Sequence, residues 1–214
     1  MRRPEGGERD LWVWALRTLL LALLLLGTVL GWNRYAGNRP IPHPPGVLVP
    51  DPPVQRPLSR EEVRVWERDG YRFIPVARFE LRARVLAKRV YRDRGAAVAP
   101  LDLALGWGPM SDTAVLRHLR IRQDFRFYFY SWSGKPPIPP GEMAVNSANM
   151  HMVPANDALK KALLRLRPGH LVAIRGFLVN VTGPEGFYWR TSTTRSDTGN
   201  GACEIVWVED LSFL

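Results

Sequence analysis

The stretch LWVWALRTLLLALLLLGTVLGW, residues 11–32, decides how the chain is built. It is apolar apart from Arg17, with its densest part from Leu19 to Leu26. As a helix it would extend roughly 33 Å, enough for a hydrocarbon core of about 30 Å. Trp12 and Trp14 lie near one end, with Trp32 and Tyr35 at the other. Aromatic pairs spaced in this way suit the two interfaces of a bilayer. Arg17 can carry its charge back along its own stem to the nearer headgroups. The expectation is a single transmembrane helix over residues 11–33. A cleavable leader is the rival reading, but no A-x-A-like site follows the leucines, and the uncharged run continues to Trp32.

Outward from this segment, the basic residues set its direction. Arg2, Arg3, Arg9 and Arg17 lie before or just inside it, against Arg34 and Arg39 just after. This bias predicts a cytoplasmic tail over residues 1–10 and an extracytoplasmic C-terminal part. Arg supplies nearly all of the 30 basic residues, which reads as the codon bias of a GC-rich bacterial genome. The expected place is therefore a bacterial inner membrane. The net charge of +10 is spread along the chain with no block of like charges, as on an ordinary solvated surface.

Residues 34–58 read as a Pro-rich spacer. Eight prolines between Pro40 and Pro57 remove backbone donors and favour polyproline II, some 50 Å long if fully extended. The remaining residues, 59–214, suffice for one domain with its own core. The expected class is α+β, a small twisted, barrel-like antiparallel sheet with short helices.

Ser59 to Asp69 suggests a helix capped by Ser59, with Glu61 and Glu62 in its first turn. Phe79, Leu81, Ala83 and Val85 alternate with charged residues, which predicts a strand through Tyr91. A Gly-Trp-Gly-Pro turn follows Leu101, and Ser111 or Asp112 can cap a helix to Leu119. Arg120 to Trp132 reads as one aromatic strand engaged on both faces. Asn156 or Asp157 caps a helix with Leu159, Ala162, Leu163 and Leu166 on its apolar face. Strands are expected over Leu171–Val181, Phe187–Thr194 and Ala202–Val208.

Two resemblances accompany this reading. LRPGHLVAIRGFLVNV, residues 166–181, resembles the glycine-bracketed strand of oligonucleotide-binding-type barrels. ALGWGPMSD (104–112) and SANMHMVPA (147–155) resemble strings in bacterial single-pass membrane-anchored proteins to which no activity, cofactor or partner attaches. That likeness implies only that residues 70–212 form one unit.

The single cysteine, Cys203, is the sharpest catalytic candidate. A thiol becomes a nucleophile when an imidazole or positive field makes it a thiolate, and His118, His151 and His170 are available, with Asn149 or Asp197 as orienting groups. Yet Cys203 alternates with Ile205 and Trp207 in a strand pattern, so a buried structural role is favoured. SDTGNGACE offers Asp197, Asn200 and Glu204 without the alternate carboxylates of a calcium loop, and the histidines lack zinc-ligand spacing. No metal or cofactor is expected. Arg122, Arg126, Phe127, Tyr128, Tyr130, Trp132, Arg190 and Arg195 mix rings and cations as single-strand binders do, although the expected compartment disfavours nucleic acid. Trp107 reads first as a packing plug, and Asn149 and His151 as satisfying a tight connection between helices.

The function expected is a non-catalytic binding or assembly module tethered in the bacterial envelope. It would meet lipid through Leu11–Trp32 and a protein partner through its domain, as a monomer or an oligomer. A Cys203 hydrolase or transferase is the alternative, and an anionic-polymer or nucleic-acid binder the third.

Overall fold

Twenty of the domain's residues form one strand, and its length organises everything else. The computed structural model describes residues 6–37, 39–194, 197, 199 and 201–214. Contacts divide the chain into two units, residues 1–39 and 40–214. The first is the helix α1 (Gly6–Gly37), which contains Leu11–Trp32, a segment long and apolar enough to cross a membrane.

In the second unit, β1 (Val54–Arg56) and β2 (Trp66–Arg68) precede the long β3 (Tyr71–Val90). β4 (Leu101–Gly106), the short helix α2 (Thr113–Leu116) and the hairpin β5 (Arg120–Asp124) and β6 (Phe127–Ser131) follow. Next come α3 (Pro140–Val145), β7 (Ser147–Pro154), α4 (Asp157–Arg165) and β8 (Leu171–Thr182). The brief β9 (Tyr188–Trp189) and then β10 (Glu204–Phe213) complete the unit.

The class is α+β, as expected, but the sheet is mixed: β10 runs parallel to β7 and antiparallel to β8. The remaining pairings are antiparallel, and α4 supplies the crossover between β7 and β8. β3 pairs with β8 from Arg72 to Arg84, then with β4 from Arg84 to Val90. The sheet therefore coils strongly without forming a closed barrel. Two features allow the coil. β3 carries irregular steps at Pro75–Ala77 and Val85–Ala87, and β10 at Val208–Asp210. Opposite the last, Gly176 lets the backbones meet, since a Cβ there would strike the Trp207 carbonyl.

Phe79, Leu81, Ala83 and Val85 are buried, as their alternation predicts. They face Leu101, Leu103, Met150, Met152, Ile174 and Val206 inside the coil. α4 covers this core with Leu163 and Leu166, and its Asn156 cap accepts from the Leu159 N–H at 2.9 Å. Lys88 secures the end of α4 by donating to the carbonyls of Leu164 and Leu166. A second apolar cluster lies on the other face of the strands, where Trp66 stacks on Trp207 with ring centroids 4.7 Å apart.

Several local expectations change. Residues 59–69 form one 3₁₀ turn, Arg60–Glu62, and then β2, because Val63, Val65 and Trp66 favour extended backbone and β3 offers a partner. Residues 120–132 fold back as a hairpin at Phe125–Arg126. Residues 147–154 form a central strand instead of a connection between helices. α2 ends at Leu116, short of Leu119. The strand expected over 187–194 shrinks to β9, while β10 extends to Phe213.

The Pro-rich segment is not a free stalk beyond residue 40. The Ile41 N–H donates to the Pro168 carbonyl at 2.8 Å, and His43 Nε2 donates to the Gly169 carbonyl at 2.7 Å. Ser111 Oγ accepts from the N–H groups of Leu48 and Val49, both at 3.0 Å, and Asp112 Oδ1 accepts from Gly46 N–H at 2.8 Å. Val49 is buried. The GWGPMSD string is thus a fastening for residues 46–49. Arg84 supports it from below, donating to the Ser111 carbonyl and to Thr113 Oγ1.

Candidate functional site

β4 and β7 pair antiparallel with Asp102 directly opposite His151. Both point away from the interior core, where Leu101, Leu103, Met150 and Met152 lie. His151 Nδ1 is 2.8 Å from Asp102 Oδ1, and both side chains are buried. A buried carboxylate needs compensation. Arg126 supplies it from the tip of the β5–β6 hairpin. Its Nη1 donates to Asp102 Oδ1 at 3.1 Å and to the Ala99 carbonyl at 2.9 Å. Its Nη2 donates to Asp93 Oδ1 at 3.0 Å, and the guanidinium lies 3.6 Å from the Tyr91 ring centroid. Burial, with the Asp102 carboxylate nearby, pushes the Tyr91 phenol well above its usual range.

Two residues along β7, Asn149 joins the network. Its Nδ2 donates to the Arg126 carbonyl at 3.0 Å, and its Oδ1 accepts from Gln123 Nε2 at 2.7 Å. The Trp189 ring closes the cluster, 4.5 Å from His151 and 5.7 Å from the Arg126 guanidinium.

Cys203 lies beside this network. Its sulfur is 3.8 Å from Asn149 Nδ2 and 3.8 Å from the Arg126 carbonyl. Burial pushes the thiol up to about 12, and the carboxylates of Glu204, Asp102 and Asp197 add to this, while Asn149 opposes it. It is held as a neutral thiol, the reverse of what a cysteine nucleophile requires. His151 and Cys203 do line one cavity, yet the imidazole is committed to Asp102. His170 stands elsewhere, before β8 and against Phe213 at the far end of β10 from Cys203. Asp197 sits on the loop before β10, where its Oδ2 accepts from Ser192 Oγ at 2.6 Å. Arg195 and Asn200 lie outside the described residues. Among the described residues no group of three or more His, Cys, Asp or Glu side chains is placed to hold a metal.

Over the starts of β7 and β10, between the hairpin and Thr194, Asp197, Gly199 and Ala202, lies a cavity of about 150 Å³. Phe127, Tyr128, Tyr130 and Trp107 form much of its wall, and Ser147, Asn149, Thr194, Asp197 and Glu204 are its polar groups. Trp107 is 1% exposed and its indole N–H has no partner among the described residues. Two further cavities adjoin it. One, of about 380 Å³, shares Phe127 and Cys203 and adds His151, Tyr188, Trp189 and Arg190. The other, of about 320 Å³, shares Thr194 and Asp197 and runs along Arg190–Thr193. The three adjoin through shared lining residues and together make up the candidate cleft.

The cleft gathers Trp107, Asn149, His151, Arg190, Asp197 and Cys203 from the sequence candidates and leaves out His170. Sequence reasoning missed Asp102, Gln123 and Tyr91. A lone carboxylate inside the apolar run LDLALG was the available signal for Asp102, since a buried acid demands a partner. Compared with protein-family models, with curated proteins and with solved structures, the chain finds no match.

Proposed function

We propose that this chain is a non-catalytic binding module tethered in the bacterial inner membrane, with the cleft between the β5–β6 hairpin and Thr194, Asp197 and Cys203 as its ligand site. One observation carries the reading: three cavities share walls along one face of the sheet, on a floor locked by the Asp102–His151–Arg126 network. A rigid polar floor with aromatic walls is what a recognition site needs. The strand order supports it. β3, β4, β7, β10 and β8 follow one another as in the partly open barrel of oligonucleotide- and oligosaccharide-binding folds, and the cleft occupies the face and loop which that architecture uses. Fold analogy alone names no ligand.

The arginine bias before and within Leu11–Trp32 supports a cytoplasmic N-terminus and an extracytoplasmic domain. The reading built on Cys203 loses support because its thiol is held neutral and its nearest polar neighbours are an amide and a carbonyl. The test is photo-crosslinking of the full-length protein in membranes from a reactive residue at position 130, with position 80 as control. Specific adducts at 130 and not at 80 support the cleft. Equal yields, or none, overturn it.

A further inference from the structure

Resting on that reading, we infer that the cleft takes an uncharged, hydroxyl-rich ligand, a segment of glycan. Charge excludes the main competitor. Among the described residues, the 150 Å³ cavity is lined by two carboxylates, Asp197 and Glu204, and by no Lys or Arg. A single-stranded nucleic acid or other polyanion tracks a cationic groove, and carboxylates facing its phosphates would repel it. A strongly cationic ligand meets the opposite obstacle next door, where Arg126 and Arg190 line the adjoining cavity.

What remains is neutral hydrogen bonding combined with flat apolar surface. Ser147, Asn149 and Thr194 lie in the first cavity, and Thr191, Ser192 and Thr193 continue into its neighbour. Amides, hydroxyls and carboxylates in this mixture suit ligand hydroxyls, which both donate and accept. Trp107 adds flat apolar surface to the same wall. Phe127 and Tyr130 line the cavity, and Tyr130 stands in a ladder with Tyr128 at 5.4 Å and Trp132 at 6.4 Å. The C–H face of a pyranose packs on such rings while its hydroxyls reach the polar floor. The second and third cavities adjoin the first through shared lining residues, so a chain of sugars longer than one ring would run along them.

The experiment titrates full-length protein in nanodiscs with the N-acetylglucosamine hexamer, cellohexaose, a thymidine dodecanucleotide and a lysine tetrapeptide, each read by tryptophan emission and calorimetry. The expected result is binding of at least one sugar hexamer, with an affinity that changes by no more than about twofold between about 50 and 500 mM salt. Asp197→Ala, on an exposed loop position, and Tyr130→Ala should each weaken it about tenfold. Phe125→Asn, outside the cleft, should leave it unchanged. Failure of both sugars to bind overturns the inference, as does preferential binding of the oligonucleotide or the peptide. If photo-adducts at position 130 persist in that event, the cleft survives and only the ligand class falls. If they are absent too, both readings fall.

Discussion

His151 and Asp102 meet across the β4–β7 ladder with Nδ1 2.8 Å from Oδ1, and both side chains are buried. The same Asp102 oxygen receives Arg126, so one carboxylate joins two strands of the coiled sheet to the tip of a separate hairpin.

Asp102→Ala should therefore cost about 3 kcal/mol, since it strands a guanidinium and an imidazole in buried surroundings. Urea unfolding of the domain measures it. A matching loss in Arg126→Ala, and a double variant no worse than either alone, would show that they act as one unit.

Cys203 should resist alkylation. With its thiol pushed up to about 12, about one molecule in ten thousand is thiolate at pH 8. Iodoacetamide labelling of the folded protein should be slow there and rise only toward strongly alkaline pH, while urea-unfolded protein labels at once. Fast labelling at pH 8 would restore the nucleophile reading.

His170 should give the domain a pH dependence. Its Nδ1 accepts from the Arg167 N–H at 3.0 Å, a role open only to the unprotonated nitrogen. Burial, together with Arg167 and Lys88, holds its pKa below 6.5 in the folded state. The unfolded chain thus takes up this proton at higher pH than the folded one does. Stability is full above 6.5 and declines as pH falls from there toward the folded value. His170→Gln should flatten that decline in melts recorded between pH 7 and pH 5.

The turn at the hairpin tip carries strain. Phe125 and Arg126 have φ of 48° and 67°, the left-handed region that bulky residues avoid, and Phe125 is 82% exposed. Phe125→Asn should raise stability by about 1 kcal/mol, because asparagine accepts this backbone and little packing is lost. Thermal melting checks it.

Gly176→Ala should destabilise by about 2 kcal/mol or more, since its Cβ would enter the Trp207 carbonyl and force β8 from β10. Gly134→Ala, where nothing lies within 4 Å but φ is +72°, should cost only the left-handed backbone penalty of roughly 1–2 kcal/mol. Melts of the two variants compare a closed site with an open one.

Leu11–Trp32 is legible as a helix from its own composition and length, without any tertiary burial. In the domain, the legible parts are those in which local pattern and burial agree: the alternation from Phe79 to Val85 and the helix capped at Asn156. β7 did not, because Ser147, Asn149 and His151 look like loop residues. They are at home in a strand only because Tyr128, Gln123 and Asp102, distant in sequence, satisfy them. The break at Phe125–Arg126 lacks any glycine or asparagine signal. It is held by the buried grip on the Arg126 side chain, a long-range cause that no local window contains. The cleft combines segments from residue 107 to residue 204, so its parts were visible singly and its shape was not.

The fastening of residues 41–49 bears on how the domain can be trimmed. Those residues plug the socket filled by Val49 and satisfy Ser111, Asp112 and the Pro168–Gly169 turn. A soluble version cut after residue 50 would begin with Val49's place in the core empty and with Ser111 and Asp112 stripped of these partners. One cut at residue 40 keeps its own clasp.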